Sequence, residues 1–206
     1  MSEDAELRRE IARVARRLYE RKLISALAGN VSARPRGASY FWITPSGVFK
    51  GELSEDSLIK VDLEGSILEG SLRPSIEWRM HALIYKRRED VSAVVHAHNP
   101  VATALSALGE GVFAEVEESI LVGKVAVVPP APPGSLELAE MVADAIAERR
   151  ASLVVLQRHG VVAIGESPLE AEARVEALEE AAVSLALEIL LRSATGLRRP
   201  PERGQR

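Results

Sequence analysis

Short valine-rich runs at 92–98, 125–128, 153–156 and 161–164 alternate along this chain with stretches whose apolar residues recur every three to four positions. Runs of that length and β-branched content read as buried strands, and the intervening periodicity reads as amphipathic helices. Strands interleaved with helices predict an α/β domain. Leu7, Ile11, Val14 and Leu18 predict a first helix ending near Leu23, broken by Ala-Gly-Asn-Val-Ser at 28–32. Further strands are expected at 40–44 and 58–63, and a helix capped by Ser75 and continuing to Tyr85. Asn99-Pro100 ends the strand at 92–98 and opens a helix to about Leu108. Ser135 caps another, to about Arg149, and the Ser167-Pro168-Leu169-Glu170 capping box starts the last, closed by Gly196. Only Gln-Arg-His-Gly separates the last two strands, which predicts a hairpin and hence a mixed sheet.

A chain of 206 residues, 47% hydrophobic and 27% charged, can bury one sizeable core, so 1–196 is read as one domain and 197–206 as a loose tail. The net charge of -4 argues against nucleic acid or a membrane surface as partner and leaves small molecules or other subunits. Without cysteine, any metal must be held by imidazole and carboxylate. The charged start and the absence of a long apolar run make the cytoplasm the expected location. Scarce asparagine and glutamine, no cysteine and plentiful arginine and glutamate resemble thermophile composition.

His96 and His98 stand two apart on a predicted strand, so both imidazoles project from one side, close enough to share a cation. A polar strand face would also explain them. His159 lies in the tight Gln-Arg-His-Gly connection, where Gly160 is expected to turn the chain and aim the side chain into a cleft. Three histidines leave a coordination position open, the arrangement of catalytic rather than structural zinc. Glu77 sits at a helix start, where a carboxylate is favoured by the dipole, and His81, one turn on, is a rival third ligand ranked below His159. Gly29, Asn30, Ser32, Ser46, Gly47 and Ser75 supply donors that suit a phosphate cradle, although each alone is only a turn signal.

Five segments in order, Ala-Gly-Asn-Val-Ser (28–32), Ile-Thr-Pro-Ser-Gly-Val (43–48), Pro-Ser-Ile-Glu-Trp-Arg-Met-His (74–81), Val-Val-His-Ala-His (94–98) and Arg-His-Gly (158–160), resemble the class II aldolase and adducin head-domain family, closest to its L-fuculose-1-phosphate aldolase branch. The resemblance covers about 5–195. It implies a three-layer α/β/α sandwich around a mixed, largely antiparallel sheet, assembled as a homotetramer with active sites at subunit interfaces. It implies that His96, His98 and His159 bind one zinc per subunit, and that Glu77 is the catalytic acid/base and approaches the metal when substrate is absent. Gly29, Asn30, Ser46, Gly47 and Ser75 match the phosphate-binding positions, and His81 matches a histidine that is not a ligand. The implied reaction is reversible cleavage of a ketose 1-phosphate to dihydroxyacetone phosphate and an aldehyde such as lactaldehyde, through a metal-stabilised enediolate.

Two positions depart from that pattern. Ile76 stands where the branch has a second serine, removing one phosphate donor, and Glu117 falls near the position of a proton-donating tyrosine from the neighbouring subunit. Glu117 or Glu118 therefore keeps open the methylthioribulose-1-phosphate dehydratase and sugar-phosphate 4-epimerase activities of the same scaffold. A non-catalytic adducin-head-like interaction module is the reading from another class, opposed by the histidine trio. Imidazole ligands alone also suit manganese or cobalt.

Overall fold

The computed structural model describes residues 3–109, 113 and 122–196. Glu117, Glu118 and the 197–206 tail lie outside the described residues.

The chain runs α1 (Glu3–Glu20), β1 (Asn30–Ala33), β2 (Tyr40–Ile43), β3 (Ile59–Asp62), β4 (Ile67–Glu69), α2 (Trp78–Arg87), β5 (Ala93–Ala97), α3 (Pro100–Ser106), β6 (Val125–Val128), α4 (Leu136–Ala147), β7 (Leu153–Leu156), β8 (Gly160–Gly165) and α5 (Pro168–Thr195). The strands form one eight-stranded sheet in the order β4-β3-β2-β1-β5-β8-β7-β6. All pairs are antiparallel except β6 with β7. Residues alternate between faces along each strand, so Val95 and Ala97 of β5 pack with α1, α3 and α5 while Val94 packs with α2 and α4. This is the expected three-layer sandwich with its mixed, largely antiparallel sheet.

The helix boundaries follow local chemistry. α1 stops at Glu20 rather than Leu23 because Lys22 turns left-handed, with φ 61°, and the Leu23 amide donates back to Leu18, satisfying a terminal carbonyl. Ser135 and Ser167 cap α4 and α5 as expected, each accepting from the amide three residues on. Ser75 does not cap α2: its hydroxyl accepts from the Glu77 amide, so Glu77 takes the N-cap position and the helix begins at Trp78. Two strands escaped the sequence reading. β1 occupies the end of the Gly-Asn stretch read there as a break, and β4 is a three-residue, fully exposed edge.

Glu172 is buried between α5 and α1, with Arg17 3.1 Å away. Burial pushes its carboxyl up to about 7 and Glu176 adds to this, against the opposing pull of Arg17. Between pH 4.5 and 7 the folded chain therefore holds a proton that the unfolded chain has released, and stability falls as pH rises across that window. Glu172→Gln is expected to remove this slope, gaining about 2 kcal/mol over wild type at about pH 8 and nothing at about pH 4. Urea unfolding at both pH values checks it, and a variant less stable at the higher pH would mean that the Arg17 pair outweighs burial.

Candidate active site and metal centre

The centre of the sheet builds the site. In β5, His96 stands opposite Asn30 of β1 on one side and Val162 of β8 on the other, and His98 follows just past the strand end. His159 is delivered by the β7–β8 hairpin, whose turn is closed by the His159 amide donating to Leu156 O at 3.0 Å. Its left-handed residue is Arg158, with φ 61°, rather than Gly160. Gly160 is needed for space instead: a Cβ there would lie 2.3 Å from Ala97 O and 3.1 Å from His98 Cδ2. Gly160→Ala is thus expected to push the hairpin off β5, carrying His159 away from His96 and His98 and with it any metal binding, at a loss of about 2 kcal/mol or more in stability. Metal analysis together with thermal unfolding checks both effects.

His96, His98 and His159 each present a ring nitrogen that could ligate a metal, and these atoms all lie within 4.8 Å of one another. His96 Nδ1 donates to Val161 O at 2.9 Å; because a carbonyl only accepts, the proton sits on Nδ1 and the Nε2 lone pair faces inward. That lone pair meets His98 Nε2 at 3.1 Å and Glu77 Oε2 at 3.2 Å, while Glu77 Oε1 lies 3.8 Å from His159 Nε2. Glu77 Oε1 and His159 Nδ1 are buried and find no hydrogen-bond partner among the described residues. Lone pairs and a carboxylate converging in a buried space repel one another unless a shared proton or a cation lies among them, and a divalent cation fits that donor set. Burial, reinforced by the neighbouring rings, pulls His98 down to about 4, and burial followed by His96 lowers His159, so both favour the neutral, ligating form. Burial raises Glu77, but positive charge at His96, the Asn30 amide donor and positive charge at His159 outweigh it and leave the carboxyl below its ordinary value, the same demand for a cation among these groups.

His81 is not a third ligand. Its Nε2 lies 2.5 Å from Asn30 Oδ1 and its Nδ1 2.6 Å from Ser32 Oγ, so both nitrogens are engaged. Ser32, buried against His81 and Tyr85, likewise has no hydroxyl to offer a phosphate. These contacts, with Asn30 Nδ2 donating to Glu77 Oε2 at 2.9 Å, were missed in the sequence. A signal was present: Glu77, His81 and Tyr85 recur every four residues and so share a helix face, and Asn30 and Ser32 alternate onto one strand face opposite them.

A cleft of about 380 Å³ opens beside Glu77, His98 and His159, and Gly29, Asn30, Ser46, Ser75 and Ile76 line it. The Ser46 amide donates to Arg73 O and the Ser75 amide to Thr44 O, which ties the two serine loops together and leaves their hydroxyls as the available donors. The asparagine side chain is already engaged by Glu77 and His81. Lys50 also lines the cleft; its buried ammonium donates to Pro45 O and Val48 O, on either side of the Ser46-Gly47 turn.

Residues 9–185 match the family described as Class II Aldolase and Adducin N-terminal domain. The chain belongs to that family. An L-fuculose phosphate aldolase of Methanocaldococcus jannaschii is 33% identical over 186 residues, covering 90% of this chain and 98% of that one. A 3-oxo-tetronate 4-phosphate decarboxylase of Haemophilus influenzae is 35% identical over 178 residues, covering 84% and 83%. The crystal structure of L-fuculose-1-phosphate aldolase from Thermus thermophilus superposes with a TM-score of 0.78 at 34% identity, over 94% of this class II aldolase-family chain and all of that one.

Proposed function

We propose that this class II aldolase-family protein is a zinc-dependent lyase that cleaves a ketose 1-phosphate of the L-fuculose 1-phosphate kind, reversibly, into dihydroxyacetone phosphate and an aldehyde such as lactaldehyde. The observation that carries the reading is the Glu77 carboxylate facing His96 and His159 beside a cleft edged with hydroxyls. His96, His98 and His159 would hold the zinc, which when bound supplies a Lewis acid that polarises the substrate carbonyl. Glu77 handles the proton at C3: in its protonated form it gives that proton to C3 as the C3–C4 bond breaks and the bonding pair moves to C3, becoming the carboxylate, and in the condensation direction the carboxylate removes it. The proton of the C4 hydroxyl goes to a second group, for which Glu117 and Glu118 are the candidates.

The Ser46 and Ser75 hydroxyls and the main chain at Gly29 and Asn30, which line the cleft, are the proposed phosphate donors beside the Lys50 ammonium, with Gly47 of the same turn proposed from the resemblance although it does not line the cleft. The exposed Leu187, Leu190 and Leu191 on α5 support the proposed homotetramer, with sites at subunit interfaces.

A second reading rests on the similarity to the decarboxylase. Loss of carbon dioxide from a 3-oxo acid also leaves an electron pair beside a polarised carbonyl, so the same residues could serve it. Zinc-loaded protein is expected to release dihydroxyacetone phosphate from L-fuculose 1-phosphate. Carbon dioxide from 3-oxo-tetronate 4-phosphate, with no cleavage of the ketose phosphate, would move the assignment to decarboxylation; water loss from methylthioribulose 1-phosphate would move it to dehydration.

A further inference from the structure

Behind Glu77 lies a line of buried polar side chains that the proposed chemistry does not use. Tyr85 OH lies 2.7 Å from Ser32 Oγ, Ser32 Oγ 2.6 Å from His81 Nδ1, His81 Nε2 2.5 Å from Asn30 Oδ1, and Asn30 Nδ2 2.9 Å from Glu77 Oε2. The direction of each bond follows from its Glu77 end. A carboxylate accepts, so the asparagine must present its amino group to Glu77 and its carbonyl to His81. That carbonyl can only accept, so His81 carries its proton on Nε2 and leaves Nδ1 as an acceptor. The Ser32 hydroxyl then donates to Nδ1, and Tyr85 donates to Ser32. All four donors point the same way, and burial, which pulls the imidazole down to about 3, keeps His81 a neutral, single-tautomer link.

We propose that His81, Ser32 and Tyr85 are positioning residues that fix the Asn30 amide in one orientation and thereby aim the Glu77 carboxylate. Glu77 holds only the amino end of the Asn30 amide, and with no partner on its carbonyl the side chain could swing out of line with the carboxylate. His81 holds the other end, because its Nε2 proton needs that carbonyl. The functional half of the inference rests on Glu77 being the acid/base; the orientation of the chain does not.

Nitrogen-15 NMR of the wild-type imidazoles tests the orientation directly. One histidine, absent from the spectrum of a His81→Gln variant, is expected as the neutral Nε2–H tautomer from about pH 5 to about pH 9, and an Nδ1–H tautomer or a charged ring at neutral pH overturns the proposal. Turnover of L-fuculose 1-phosphate tests the consequence. His81→Leu is expected to lower kcat by about 30-fold with KM within about twofold, as for a displaced base. His81→Gln, whose amide offers a donor and an acceptor at similar reach, is expected to regain most of that loss, and Tyr85→Phe to lose only about threefold. A His81→Gln loss equal to that of His81→Leu in folded, metal-loaded protein, or a loss expressed in KM, overturns the positioning role. A Glu77→Gln variant as active as wild type would instead sink the acid/base assignment, leaving the tautomer spectrum to judge the chain by itself.

Discussion

Glu77→Gln is expected to lower kcat for L-fuculose 1-phosphate cleavage by about 10³-fold, with metal content unchanged and KM within a few fold. Glutamine nearly matches glutamate in shape, and its carbonyl oxygen can still accept from Asn30 Nδ2, so the local packing survives. What it lacks is a proton to exchange and the negative charge beside His96 and His159. Steady-state rates paired with metal analysis separate these effects. A variant retaining more than a tenth of wild-type activity would require another base, and a variant that loses its metal would make Glu77 chiefly a ligand.

Stripping the metal should have the second-largest effect, on stability. A site whose buried lone pairs and carboxylate repel one another gains most from an added cation. At free zinc about one hundred times the dissociation constant, the stabilisation is about 2.7 kcal/mol. For a domain of this size that corresponds to about 5–10 °C in melting temperature. Chelation should lower the melting temperature by that amount and zinc should restore it, whereas His96→Ala should melt at one temperature with or without zinc. Indifference of the wild type to zinc would favour the non-catalytic module.

Much of the architecture was legible because periodicity survives in the sequence: the strands at Val125–Val128 and Leu153–Leu156 fall where their valine runs predict. β1 and β4 were not legible, since four residues after a glycine and three exposed edge residues carry too little pattern to distinguish from a turn. The histidine trio could be anticipated from spacing and resemblance. The four-residue recurrence of Glu77 and His81 was legible as a shared helix face, but their contact with Asn30 was not, because β1 itself was unread and its packing against α2 is set by the tertiary fold. Lys50 shows the limit most plainly: nothing in Phe-Lys-Gly-Glu distinguishes a buried ammonium from the ordinary surface lysine its type usually is.

The pairing of β5 with β8 sets the order of events when the chain folds. His96 bonds to Val161, 65 residues further along, so the third proposed ligand reaches the first two only after a long loop has closed. Zinc added to the unfolded chain has no assembled site and gives little help in nucleating the sheet. If closure of that loop limits folding, zinc held by the proposed site would act only afterwards, and the metal is then expected to slow unfolding while leaving the folding rate nearly unchanged. The ion would then set how long each molecule lasts rather than how fast it is made.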